Sequence, residues 1–243
     1  MTLYIGLCGE AGAGKDTAGI ILKDIFLKDS SYPFKSIMVT SFAAPVYALA
    51  EALVNGSLKD RASKEVFQKY DITQQFLEYM NEVYCFYQLD QYKDFPDAWN
   101  EFFHKSLVEY THISHNEKAE FALHISPRRL LELIGTEFGR EILDTNVWLK
   151  VVSDSVKRND AKLVVVTDVR FDNEALFIRN QNKGMVIEIV APVNEHATKS
   201  THASAKGINQ SLVSHKIINK KNGKEQFIKE LENFNCRLVR GLY

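Results

Sequence analysis

The sequence predicts an α/β fold: a mostly parallel sheet covered by helices on both faces. Three observations predict it. Leu3 to Cys8 is a short apolar run that ends in a glycine-rich turn, and an amphipathic helical pattern follows directly. Lys162-Leu-Val-Val-Val-Thr-Asp168 is continuous and β-branched, as befits a strand buried on both faces. Lys35–Ser41, Gly184–Val190 and His215–Asn219 also read as strands; helical segments separate the first four, and a polar stretch precedes the fifth. Strands alternating with helices give a parallel sheet, and such sheets bind ligands beyond the carboxyl ends of their strands.

Composition supports a globular chain with a sizeable core: 243 residues, 45% hydrophobic and 25% charged. A net charge of −1 and no basic block argue against a nucleic-acid partner. Cys8, Cys85 and Cys236 are scattered without metal spacing, which suits a reducing cytoplasm. The N-terminus lacks the charged region of a signal peptide, and no apolar run reaches membrane-spanning length.

The first helix is expected from Asp16 to about Leu27, and a second follows Phe42-Ala-Ala-Pro45 as far as about Val54. Residues 57 to about 125 are rich in aromatics at helix-like spacing, with no convincing strand. Phe67, Tyr70, Phe76, Tyr79 and Tyr84 there suggest helices packing on one another in an insertion over the sheet's ligand edge. Ser126 and Pro127 are good first residues for the next helix. In α geometry Arg129, Glu132, Thr136 and Arg140 share one of its faces, and Leu130, Ile134 and Phe138 share the other. Gly135 and Gly139 beside the polar face predict a close approach to the backbone. Asp144 or Thr145 caps a helix bearing Trp148, and Asp172 caps one reaching about Asn182. Residues 193 to 214 are polar and turn-rich, with His196, Lys199, His202, Ser204 and Lys206.

The chemistry starts at Gly9-Glu-Ala-Gly-Ala-Gly14-Lys15, which fits G-x-x-x-x-G-K between a strand and a helix. Such a loop turns the backbone N–H groups of Gly12, Ala13 and Gly14 onto a phosphate, with the helix dipole behind them. Lys15 then reaches the outer phosphates. The usual Ser or Thr after the lysine is replaced by Asp16, with Thr17 next. Asp16 reads either as a magnesium ligand or as an acid favoured by the helix dipole. Asp168, closing an apolar strand beside such a loop, is placed to order magnesium, or else to pair internally with Arg170. Arg170 offers a fork matched to two phosphate oxygens. Ser41 ends the second strand at the same edge.

Four blocks together (Gly-Glu-Ala-Gly-Ala-Gly-Lys-Asp-Thr, Ser-Phe-Ala-Ala-Pro, Pro127 to Arg140, and Thr-Asp-Val-Arg-Phe-Asp-Asn-Glu-Ala) resemble the deoxynucleoside monophosphate kinases of tailed bacteriophages. The resemblance implies a three-layer P-loop fold of the nucleoside-monophosphate-kinase type, with a five-stranded parallel sheet and a helical insertion. It implies one domain over 1–243, an acceptor-side insertion at about 57–125 and a lid-like loop at about 193–214. The implied reaction is ATP-dependent phosphorylation of a deoxynucleoside monophosphate in the cytoplasm, that of the host if the chain is phage-encoded. Lys15, Asp16 and Thr17 would then serve ATP, with Asp16 and Asp168 on Mg2+. Lys15, Arg128, Asp168 and Arg170 become the catalytic candidates. Ser41, Arg128, Arg129, Glu132, Glu137, Trp148, Asp168, Arg170 and Glu174 become candidates for the acceptor, Trp148 by stacking on its base. Ala205 departs from the pattern, since the family commonly carries an acid there. A phosphomevalonate-type kinase would show similar arginines. A switch or motor ATPase would need a catalytic Glu after Asp168, where Val169 stands.

Overall fold

The computed structural model describes residues 2–31, 36–60, 63–114, 118–181, 184–192 and 207–239. The order begins β1 (Leu3–Cys8), α1 (Lys15–Lys28), β2 (Ile37–Thr40), α2 (Ala44–Val54), β3 (Gln68–Ile72) and α3 (Gln74–Phe86). It continues with α4 (Phe95–Phe102), β4 (Thr111–Ile113), β5 (Phe121–Ile125), α5 (Pro127–Leu133) and α6 (Val147–Arg158). β6 (Leu163–Val166), α7 (Asp172–Arg179), β7 (Met185–Val190), β8 (His215–Ile218) and α8 (Lys224–Val239) complete it. The chain divides into two compact units, one formed by Met1–Phe42 with Val152–Tyr243 and the other by Ala43–Val151. Among the described residues no helix is long and apolar enough to cross a membrane.

The first unit holds the expected sheet, in the order β2-β6-β1-β7-β8. Every pairing is parallel, with Ile5 opposite Val165 and Leu7 opposite Ile187. Ile5, Leu7, Val165 and Ile187 form a core with Leu22 and Phe26 of α1 and Leu231 and Phe234 of α8. Removing these side chains from water supplies the main drive for that face to close. α7 packs on the opposite face, where the rings of Tyr4 and Phe177 meet edge-on at 6.0 Å. The chain passes from β1 to β2 over the place taken by β6, so β1 lies at a switch point of the sheet. A loop leaving its carboxyl end therefore opens into a crevice rather than onto a neighbouring connection.

The second unit corrects the expectation for residues 57–125. It is mainly helical, but β3, β5 and β4 form a three-stranded antiparallel sheet. Strands of three to five residues are too short for periodicity to separate them from helical turns, and pairing partners far along the chain specify them instead. Phe67 and Tyr70 accordingly lie just before and within β3, and Phe67 is largely exposed. Tyr84 is fully buried against Phe95 and Phe138, and its hydroxyl donates to the Lys93 carbonyl at 2.6 Å.

Ser126 caps α5 by accepting from the Arg129 N–H at 3.3 Å, with Pro127 in the first turn. Beyond Leu133 the helix widens into π geometry over Ile134–Leu143. A π turn takes more residues than an α turn, so the face expected to unite Arg129, Thr136 and Arg140 does not persist. In α geometry Glu137 would lie about 80° round from Arg129. The wider turn brings it alongside instead. The close approach expected at the glycines is made by Trp148: a Cβ on Gly139 would stand 2.1 Å from its Cζ2.

Candidate active site

At the carboxyl edge of the first unit, the loop after β1, the start of α1 and the residues after β6 come together. After β1 the loop takes left-handed turns at Gly9, Gly12 and Gly14, with φ of 127°, 76° and 100°, which side chains would oppose. Gly14 precedes the first residue of α1, so the loop's N–H groups and the helix terminus act on one spot. The Lys15 ammonium arches back over the loop, donating to the carbonyls of Gly9 at 2.8 Å and Glu10 at 2.7 Å. Burial, then the charge of Arg170, lowers its pKa, while Asp16 and Asp168 act in the opposite sense.

Asp16 does not cap its helix through its side chain. Its Oδ1 accepts from the Thr167 hydroxyl at 2.8 Å. Asp168, next along the chain, is buried, and its Oδ1 accepts from the Phe42 N–H at 2.7 Å, immediately after Ser41. Thr167 is itself fixed, its N–H donating to the Thr40 carbonyl at 2.9 Å. Asp16, in the first turn of α1, is thus tied to the end of β6, and Asp168, just past β6, is tied to the end of β2. Among the described residues no group of three or more His, Cys, Asp or Glu is gathered. One or two carboxylates are what magnesium takes from a protein when phosphates and water complete its shell, so Asp16 and Asp168 fit that ion.

Arg170 is exposed, and its backbone N–H donates to Glu174 Oε2 at 2.7 Å. It borders an open groove of about 600 Å³ with Phe171, Asp172, Asn173, Gly207, Ile208 and Asn209. The groove's second wall is tied to α7, since Asp172 accepts from the Asn209 N–H at 2.7 Å. Residues 193–206, most of the expected lid with His196, Lys199, His202, Ser204, Ala205 and Lys206, lie outside the described residues.

In the second unit Arg128 and Arg129 point to different partners. Arg128 pairs with Glu65. Arg129 Nε donates to the Tyr110 hydroxyl at 3.1 Å, and its Nη1 stands 3.4 Å from Glu137 and 4.0 Å from Glu132. This arginine and Glu137 line a cavity of about 300 Å³ with Lys105, Glu109 and Glu141. A phenol and two carboxylates fix the direction of this guanidinium, and the carboxylates also offset its charge.

Residues 4–231 match the family of deoxynucleotide monophosphate kinases. The chain is also 35% identical over 242 residues to the deoxynucleoside-5'-monophosphate kinase of Escherichia phage T5, covering 96% of each protein. The chain belongs to the deoxynucleotide monophosphate kinase family.

Within this kinase two of the candidates are buried. Trp148 is 3% exposed, its ring rests on Gly139, and its Nε1 donates to the Gly135 carbonyl at 2.7 Å. Stacking on a base needs an open face, and this indole has none. Glu174 is 2% exposed, accepting from the N–H groups of Arg170 and Phe171 at the start of α7. It holds the arginine's backbone. Three residues escaped the sequence: Thr167, Tyr110 and Asn219. Only Thr167 left a trace, as a hydroxyl ending an apolar strand.

Proposed function

We propose that this protein transfers the terminal phosphoryl group of ATP to the 5′-phosphate of a deoxynucleoside monophosphate, releasing ADP and the diphosphate. Membership of the kinase family over nearly the whole chain carries this reading. The supporting chemistry is that of in-line transfer. An acceptor phosphate oxygen bonds to the γ-phosphorus as the bond to the bridging oxygen of ADP breaks, and the protein contributes position and positive charge. The N–H groups of Gly12, Ala13 and Gly14 hold the donor phosphates, with Thr17 beside them. Lys15 exchanges its two carbonyl partners for phosphate oxygens. Asp16 and Asp168 would hold magnesium, which when bound supplies charge to the donor phosphates. Arg170 balances charge on the transferring group. Arg128 and Arg129 hold the acceptor's phosphate, with Glu132 and Glu137 orienting Arg129, and Ser41 serves the acceptor beside Asp168.

The test is ATP with each of the four deoxynucleoside monophosphates and their ribose counterparts. ADP production should rise with at least one deoxy acceptor. A panel in which no monophosphate exceeds the ATP-only background, or phosphomevalonate alone does, overturns the assignment.

Asp16 supports a sharper prediction. With its carboxylate on magnesium, Asp16→Asn keeps the Thr167 partner but loses charge. The magnesium needed for half-maximal turnover should rise on the order of tenfold or more. Asp16→Ser restores the usual hydroxyl ligand and should recover part of the activity. Three superimposable magnesium titrations would leave Asp16 only a helix-dipole role, worth at most about 1 kcal/mol of stability.

A further inference from the structure

We infer that Asn219 is a positioning residue for the donor phosphates, its side-chain amide setting the direction of the Gly14 N–H; this rests on the kinase reading of the loop. Asn219 directly follows β8, two strands away from β1 in the sheet. Its Nδ2 donates to the Ala13 carbonyl at 2.8 Å, across 206 residues of chain. Both ends of the side chain are fixed. The Asn219 backbone N–H donates to the Val190 carbonyl at 2.7 Å, and its Oδ1 accepts from the Lys221 N–H at 3.2 Å. The Lys221 contact identifies the oxygen, so the NH₂ group is the part presented to the loop.

The consequence follows from the peptide plane. In a trans peptide the carbonyl and the following N–H point in opposite directions. Drawing the Ala13 carbonyl toward Asn219 therefore turns the Gly14 N–H away from it, into the hollow of the loop where a phosphate sits. Ala13 is buried, so its carbonyl is held away from solvent beside this amide. The contact also gives Gly14 a second reason to be glycine. A Cβ there would stand 2.7 Å from Asn219 Nδ2, quite apart from the φ of 100°. Phosphate loops are usually explained by their own glycines. Here the last strand of the sheet holds one of the loop's donors in register.

Asn219→Ala removes the amide, and Asn219→Asp keeps its shape and its acceptor for Lys221 while losing the donor. Calorimetry with ADP should show affinity falling about tenfold in the alanine variant, the worth of one hydrogen bond to a charged group, and at least as far in the aspartate variant. The acceptor KM should stay at the parent value while the ATP KM rises. In amide NMR spectra the Gly14 resonance, which should shift on ADP binding in the parent, should lose most of that shift. Parent-like ADP affinity in both variants, an unchanged Gly14 shift, or equal rises in both KM values would each overturn the inference. ADP binding and the Gly14 resonance involve no acceptor. A failed acceptor panel would therefore count against the kinase reading without touching this one.

Discussion

Replacing Arg170 with alanine should cut turnover on the order of 10³-fold while ADP binds as in the parent, in line with other arginines that balance charge on a transferring phosphoryl group. The structure separates its side chain from its backbone. The backbone N–H is held by buried Glu174, and the side chain is exposed at the rim of a groove. Removing the guanidinium therefore leaves α7 and β6 as they are, and stability should change by no more than about 0.5 kcal/mol. Its charge reaches Lys15, whose pKa it helps to lower after burial, so both cations act on one region. Arg170→Lys keeps the charge but not the fork and should fall between parent and alanine. Steady-state turnover, ADP calorimetry and a thermal melt decide the matter. An alanine variant with near-parent turnover would take Arg170 out of the site.

Trp148→Ala should have the largest effect on stability, about 3–5 kcal/mol, the usual cost of truncating a buried aromatic. The indole fills the space over Gly139 and satisfies the Gly135 carbonyl within the π segment. Trp148→Phe keeps most of the ring but loses the hydrogen bond to that carbonyl, at about 0.5–1.5 kcal/mol. Gly139→Ala attacks the same contact from the other side, placing a methyl where Cζ2 stands. Denaturant midpoints should rank parent above Trp148→Phe above Trp148→Ala. The acceptor KM of Trp148→Phe, measured well below its midpoint, should match the parent. A variant of full stability with a sharply raised acceptor KM would return Trp148 to the ligand.

The strands around the phosphate loop were legible because each signals itself locally. β1 and β6 are continuous apolar runs, and G-x-x-x-x-G-K joins strand to helix within seven residues. The positions of Lys15, Asp16, Asp168 and Arg170 follow from that alone. What stayed hidden depends on partners far along the chain. β4 and β5 exist by pairing, Glu137 meets Arg129 only because the helix widens, and Asn219 reaches Ala13 across most of the protein. The packing of Trp148 on Gly139 was hidden for a related reason: an aromatic on an amphipathic helix reads the same whether it faces a ligand or a glycine.

The central strand of the first unit is also the first to be made. β1 ends at Cys8, but its neighbours β6 and β7 start at Leu163 and Met185. At a synthesis rate of about 5–20 residues per second, the phosphate loop waits on the order of ten seconds or more for the strands that flank it. The second unit, continuous from Ala43 to Val151, is synthesised whole before either of those strands. Nucleotide binding is thus among the last properties the nascent chain acquires. Closing a sheet across so long an interval relies on non-local pairing, which slows folding relative to local contacts. A chain released early would carry an apolar β1 with no partner on either side.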